Sequence, residues 1–318
     1  MRMPSERILV TGASGFIGRA VVEEGVRRGL GMLAVTRAAT SWPAAVSAAT
    51  VHGGLNDGDW APVLAGVSAV VHCAAQMQVM HKSSANPLSE FRCTNVTGSG
   101  RLAERAAAAG VRRFVLVSSI KVNGESTLLG RPFTEEDSPS PVDPYGLSKL
   151  DAEKAVHRVA ARTGLEVVVV RPPLVYGPGV KGNFAFLANW IRLGWPLPFG
   201  ALQNQRSLIA LGNLVDLLLL CTSHLAARGE TFLAADGKDV STAELCRGIG
   251  VAVGRPARLL PVPTWVLESV AKLAGRQAAA QSLCGSLQLD ASKVRARLGW
   301  SPSLGLDEGL RLAVEAVR

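Results

Sequence analysis

Short runs of branched apolar residues alternate with longer stretches of helical periodicity through the first half of the chain. The runs fall at residues 8–11, 32–36, 69–74, 114–118 and 167–171, and none alternates apolar with polar positions. Unalternating runs of this length match strands covered on both faces. Between them, residues 16–28, 91–109 and 145–162 repeat their apolar positions at helical spacing, and each stretch ends near a glycine suited to a C-cap. This series predicts an α/β fold with a Rossmann-type doubly wound parallel sheet.

Beyond Arg171 the pattern loosens, because Pro172, Pro173, Pro178, Pro196 and Pro198 break the chain into turns and short helices. Helical periodicity returns at residues 184–192, 213–226, Thr242–Val253, Thr264–Leu273 and 306–317, with a strand-like Thr231–Leu233 among them. The expected division is a sheet domain over residues 1–171 and, over 172–318, mostly a smaller C-terminal substrate-binding lobe. Parts of that lobe are expected to return to the main domain.

A chain of 318 residues is long enough for this plan. Its five cysteines are odd in number and scattered, with no Cys-x-x-Cys pair, so neither a disulfide framework nor a metal cage is expected. That fits a cytoplasmic location. No apolar leader follows Arg2, and the aliphatic run at residues 217–221 is far too short to span a bilayer, so no membrane insertion is expected. The net charge of +9 comes from arginines spread along the chain rather than clustered with aromatics, which argues against nucleic acid. It would still draw in a phosphorylated small molecule.

Thr11-Gly12-Ala13-Ser14-Gly15-Phe16-Ile17-Gly18 follows the first strand and opens the first helix. Glycines at this turn let backbone approach a pyrophosphate, whose charge sits at the helix N-terminus. Gly12, Gly15, Phe16, Ile17 and Gly18 are therefore candidate cofactor contacts. An acidic residue about twenty positions on normally grips the ribose of NAD, yet residues 25–56 contain none and the second strand ends at Thr36-Arg37. A guanidinium there suits a 2′-phosphate, so NADP(H) is the expected cofactor rather than NAD(H), with Arg37 as its selector.

The chain has only two tyrosines, and one of them stands in Tyr145-x-x-x-Lys149, just after Pro144. Pro144 suits a first helical turn, which puts Tyr145 and Lys149 one turn apart on one face. A phenol with a pKa of about 10 is drawn toward neutral pH by a neighbouring ammonium and a cationic nicotinamide. Tyr145 would then exchange the proton of a carbinol while a hydride moves. Ser118-Ser119 closes the fourth of these strand runs at the edge where such sheets bind ligands, and supplies a hydroxyl for the same oxygen.

With these residues assembled, the chain resembles an extended short-chain dehydrogenase/reductase of the NAD-dependent epimerase/dehydratase type. The likeness rests on the glycine loop, on Val71-His72-Cys73-Ala74-Ala75, Thr94-Asn95-Val96-Thr97-Gly98, residues 117–124, 144–149 and 171–179, and the closing Leu298-Gly299-Trp300-Ser301-Pro302. It implies that Ser119, not Ser118, is the catalytic serine. It also implies that Leu55, Ala74, Ala75, Asn95 and Pro172 lie along the cofactor with Tyr145 and Lys149. Asn123 departs from the tyrosine common in the sugar epimerases, and Gly54 stands where many members carry an aspartate near adenine.

Members of this type mostly act on nucleotide-diphosphate sugars. Gly182-Asn183-Phe184 and Arg206 resemble the segments that meet the diphosphate, which makes Asn183 and Arg206 candidate substrate contacts beside Ser119. Residues 196–216 are similar to those of bacterial UDP-N-acetylhexosamine enzymes of surface-polysaccharide and lipopolysaccharide synthesis. An exchangeable NADP(H) favours reduction of a UDP-4-keto-6-deoxy-N-acetylhexosamine. The alternatives are a UDP-hexose or UDP-N-acetylhexosamine 4-epimerase, and a non-catalytic dinucleotide sensor on the same fold. A homodimer is expected by analogy with the family.

Overall fold

The computed structural model describes residues 7–77, 87–275 and 277–315. Its strands are β1 (Arg7–Thr11), β2 (Gly31–Thr36), β3 (Ser47–Thr50), β4 (Val67–His72), β5 (Arg113–Val117), β6 (Glu166–Arg171), β7 (Leu174–Tyr176), β8 (Leu208–Ala210) and β9 (Thr231–Leu233). Seven of them form one sheet in the order β3-β2-β1-β4-β5-β6-β9, and every pairing in it is parallel. The doubly wound sheet expected from the pattern is the one observed.

The apolar runs do not alternate because both faces are covered. Along β6, Val168 and Val170 join one core cluster while Val167 and Val169 join the cluster on the opposite face. None of the four is more than 1% exposed, so each side chain contributes roughly 1.5–3 kcal/mol by leaving water. Helices Phe16–Arg27 and Leu211–Ser223 cover the first face; Ser99–Ala108 and Pro144–Thr163 cover the second. The chain leaves β1 toward β2 on one side and β4 lies on the other, so the strand order reverses between β1 and β4. A crevice opens at their carboxyl ends.

Residues after Arg171 serve two cores. β9, Leu211–Ser223 and Leu287 through Trp300 pack in the first sheet cluster, whereas Tyr176, Phe184, Ile191, Ile249 and Leu310 build a third cluster around β7 and β8. Buried polar side chains join the two. Asp236, just past β9, accepts from the Tyr176 hydroxyl at 2.8 Å, the Ala210 amide at 2.9 Å and Asn213 Nδ2 at 2.7 Å. Trp300 donates to Asp216 at 2.7 Å, and Arg28 pairs with the same carboxylate, which explains the closing Gly-Trp motif as a clasp between helices.

Several elements depart from the pattern reading. The stretch 91–109 is not one helix: Pro87–Phe91 and Ser99–Ala108 flank a π-helical Arg92–Gly98. β3 escapes detection because Ser-Ala-Ala-Thr on a half-exposed sheet edge lacks branched apolar residues. β7 and β8 are three residues each, too short for periodicity to register. Ser118 lies just beyond β5.

Candidate active site

The glycine loop sits at the crevice between β1 and β4. Gly12 adopts φ +65°, and a Cβ there would lie 2.7 Å from the Ala74 amide nitrogen, so the loop packs directly on the chain leaving β4. A Cβ on Gly18 would come within 2.3 Å of the Gly12 carbonyl oxygen, which lets the first helix start against the loop. No side chain caps that helix, and its first turn carries no acidic residue. Its leading N–H groups are thus left to an anion such as a dinucleotide pyrophosphate, and the loop fits that group. Arg37 lies exposed past the end of β2, and a Cβ on Gly54, the residue before Leu55, would lie 4.0 Å from its Cδ. Among the described residues Arg37 has no carboxylate partner.

Behind the loop runs a chain of buried hydrogen bonds. The Ala74 amide donates to Thr11 Oγ1 at 3.4 Å, Thr11 meets His72 Nδ1 at 2.6 Å, and His72 Nε2 meets Ser99 Oγ at 2.8 Å. Ser99 spends its own proton on the Asn95 carbonyl at 2.6 Å, so its oxygen must accept from His72 Nε2–H, leaving Nδ1 to accept from Thr11. The π-turn brings Asn95 inward. Its Oδ1 accepts from the Gln76 amide at 2.8 Å, and its Nδ2 donates to the Gln76 carbonyl at 3.0 Å and to Ser148 Oγ at 2.9 Å. Ser148 donates in turn to the Tyr145 carbonyl at 2.7 Å. The cofactor loop and the tyrosine-bearing helix are thus tied through one network. Sequence motifs flagged Asn95 but gave no hint of Ser99 or Ser148.

His72 is fixed in its neutral form, because burial, reinforced by the Lys149 charge, pushes its pKa down to about 3. The unfolded imidazole takes a proton near 6.5 while the folded one refuses it. Stability from this site is therefore full above about pH 6.5 and falls as pH drops toward 3, by ~1.4 kcal/mol per pH unit. Urea midpoints measured from pH 7 to 4 should drop more steeply in the parent than in His72→Gln. Parallel slopes would deny His72 this part in the acid response.

Asp143 caps the helix Pro144–Thr163, its Oδ1 accepting from the Gly146 amide at 2.5 Å, while Lys121 pairs with its other oxygen. A Cβ on Gly146 would sit 2.8 Å from the Lys121 carbonyl oxygen, so glycine permits the helix start to touch the turn after β5. Tyr145 is half-buried, its ring edge-on to Phe91 at 6.1 Å. Lys149 is buried, with Nζ donating to the Val117 carbonyl at 2.7 Å. Desolvation lowers Lys149 to about 8 against the opposing pull of Glu153.

Desolvation governs Tyr145 in the protein itself. Burial pushes its phenol up to about 12, and Asp143 adds to the rise. The protein alone does not bring the phenol toward neutrality.

The two serines part company. Ser118 is buried and donates to Glu153, which is itself locked to Arg171 by bonds of 3.0 and 2.6 Å. Ser119 is half-buried, and its Oγ accepts from the Lys121 amide at 3.2 Å, which leaves its proton to give elsewhere. The Pro172 carbonyl accepts from the Ile120 amide at 3.0 Å and holds this turn to the end of β6. Asn123, at the position where sugar epimerases commonly carry tyrosine, is buried, accepting from Arg171 at 2.9 Å and donating to the Thr134 carbonyl at 3.0 Å.

In the lobe, Asn183 and Arg206 meet neighbouring points of one segment. Asn183 is exposed and 3.5 Å from Ser282 Oγ; Arg206 donates to the Gly285 carbonyl at 2.8 Å. Arg206 is half-buried, and no carboxylate pairs with it among the described residues. Among those residues there is also no cluster of three or more metal-ligating side chains.

The profile of the NAD dependent epimerase/dehydratase family matches residues 8–235. A UDP-glucose 4-epimerase of Vibrio cholerae is 42% identical over 99% of this chain and 96% of its own length. Among solved structures, UDP-glucose 4-epimerase of Thermus thermophilus in complex with NAD superposes with a TM-score of 0.78 at 25% identity, covering 98% of this chain and 99% of that one. UDP-glucose 4-epimerase of Thermotoga maritima with UDP-glucose gives 0.76 at 25% identity, with 98% of each chain covered. Glycine loop, seven-stranded sheet and the helix bearing Tyr145 and Lys149 thus agree with a match across most of the chain, which belongs to the NAD dependent epimerase/dehydratase family.

Proposed function

We propose that this protein is a cytoplasmic nucleotide-sugar 4-epimerase that acts on a UDP-hexose with NAD held in place throughout. The observation that carries the reading is Tyr145 and Lys149 on one helix whose start packs on the turn that follows Ser119, in a chain 42% identical over nearly its full length to a UDP-glucose 4-epimerase. The retention of both Tyr145 and Lys149 speaks against a non-catalytic sensor.

Residues 12–18 would hold the pyrophosphate of the dinucleotide, Arg37 and Leu55 its adenosine end, and Ala74, Ala75, Asn95 and Pro172 the remainder. When bound, NAD accepts a hydride from the sugar and returns it. Tyr145 takes the proton of the C4 hydroxyl as a base and later gives it back as an acid. Ser119 donates a hydrogen bond to the same oxygen and aligns it. Burial leaves Tyr145 near 12, and the Lys149 ammonium, anchored on the Val117 carbonyl, would supply the protein's positive charge to the tyrosinate. Arg206, short of an anion partner, and Asn183 would receive the diphosphate.

One observation favours a second reading. The exposed Arg37 past β2, with no acid in residues 25–56, suits NADP(H) and hence reduction of a UDP-4-keto-6-deoxy-N-acetylhexosamine. Cofactor content decides between them. The epimerase as purified should release stoichiometric NAD on denaturation, and Arg37→Ala should weaken NADH and NADPH alike. Release of NADP, or loss of NADPH affinity by ~10-fold or more in Arg37→Ala with NADH affinity intact, would establish the reductase.

A further inference from the structure

Three of the chain's six tryptophans belong to the sheet domain and its clasp: Trp60 and Trp300 are buried and Trp42 is partly so. The other three, Trp190, Trp195 and Trp265, lie in the lobe, where Trp195 is 52% and Trp265 is 69% exposed. Phe186 and Trp190 are in ring contact at 4.8 Å and Trp190 and Trp195 at 5.2 Å, so the end of helix Asn183–Leu193 and the following turn present an aromatic patch, with Leu193 beside it. Backbone pairing carries this surface onward: the Leu197 amide donates to the Arg258 carbonyl at 2.8 Å, and the Leu260 amide to the Leu197 carbonyl at 2.8 Å. Leu260 is exposed and leads through Pro261 and Pro263 into helix Thr264–Leu273, none of whose residues is buried. Trp265, Val270 and Leu273 are all exposed on this helix, Leu273 at 90%.

The segments that carry this apolar surface are predominantly basic. Residues 181–195 and 255–275 contain Lys181, Arg192, Arg255, Arg258 and Lys272 against the single acid Glu268. Tryptophan, aliphatic side chains and a basic rim together match the boundary of an anionic lipid bilayer, where the indole sits at head-group level and the cations meet phosphate. A second copy of this chain is a poor occupant, because a two-fold contact would set the same basic groups against each other. Among the described residues no helix is long and apolar enough to cross a membrane, so the contact is peripheral.

We propose that the lobe face formed by Leu193, Trp195, Leu260, Trp265, Val270 and Leu273 docks this protein on an anionic membrane surface. The inference is independent of the epimerase reading. Co-sedimentation of the full chain with vesicles tests it. The parent should pellet with equimolar phosphatidylglycerol and phosphatidylcholine, far less with phosphatidylcholine alone, and less again at high salt. Trp265→Ser/Leu273→Ser should bind roughly tenfold or more weakly with an unchanged circular dichroism spectrum, and Arg258→Gln/Lys272→Gln should lose the preference for the anionic lipid. No pelleting of the parent, or pelleting that neither variant alters, overturns the proposal. So does light scattering in which the apolar variant splits an oligomer, which would assign the face to a protein contact.

Discussion

Tyr145→Phe should lower turnover by ~10²–10⁴-fold, the usual contribution of a positioned proton-transfer group. The variant keeps the ring that meets Phe91 edge-on and removes only the hydroxyl, which makes no hydrogen bond among the described residues. Its unfolding midpoint should therefore stay close to the parent's, and its NAD content should be unchanged, since the glycine loop is untouched. Steady-state kinetics beside cofactor release on denaturation read both. A turnover within a few-fold of the parent would remove Tyr145 from the chemistry. The direction of its pKa shift also matters here: with burial holding the phenol near 12, Lys149→Met should be nearly as damaging as Tyr145→Phe although it leaves the phenol in place.

Glu153→Ala should cost ~3–5 kcal/mol of stability, the effect of stranding one member of a buried ion pair. Arg171 and Glu153 have side chains only 7% and 5% exposed and share a two-pronged contact, with Ser118 donating to the same carboxylate. Without Glu153 the guanidinium keeps only Asn123 as a side-chain partner among the described residues. Urea unfolding measures the loss, and Glu153→Ala/Arg171→Met should recover much of it by removing the stranded charge. The same substitution carries a signature in activity. Glu153 raises the pKa of Lys149 against desolvation, so its removal lowers that pKa further and moves the alkaline fall in rate to lower pH. A stability loss with an unmoved alkaline limb would confine Glu153 to a structural role.

Local signals are what the sequence exposed. The glycine loop announces itself because a turn between strand and helix demands small residues at fixed spacing, and Tyr145 to Lys149 because one helical turn is a sequence distance. Pro144 marked the helix start correctly, with Asp143 as the cap. Features that depend on which strand lies beside which helix stayed hidden. The bond from His72 to Ser99 spans 27 residues and the one from Asn95 to Ser148 spans 53; both need the sheet order and the π-turn to exist. Residue type alone did not separate Ser118 from Ser119; the bond from Ser118 to the buried Glu153 is a contact that sequence does not show. For Tyr145 the expected fall in pKa combines the charges of Lys149 and a cationic nicotinamide; the protein's own contribution is dominated by desolvation, which sequence does not reveal and which raises it. Arg37 was read from the chemistry of a guanidinium and stands exposed where that reading needs it, yet the 42% identical relative is an epimerase, and the solved relative with the TM-score of 0.78 holds NAD.

In the proposed epimerisation one hydrogen leaves C4 of the sugar and comes back to the same carbon while Tyr145 handles the hydroxyl proton. UDP-galactose deuterated at C4, incubated with the purified protein without added cofactor and followed by proton NMR, tests this directly. UDP-glucose should accumulate with deuterium retained at C4, and Tyr145→Phe should form almost none in the same time. UDP-glucose that has lost the label, or no UDP-glucose from a protein shown to contain NAD, would contradict it.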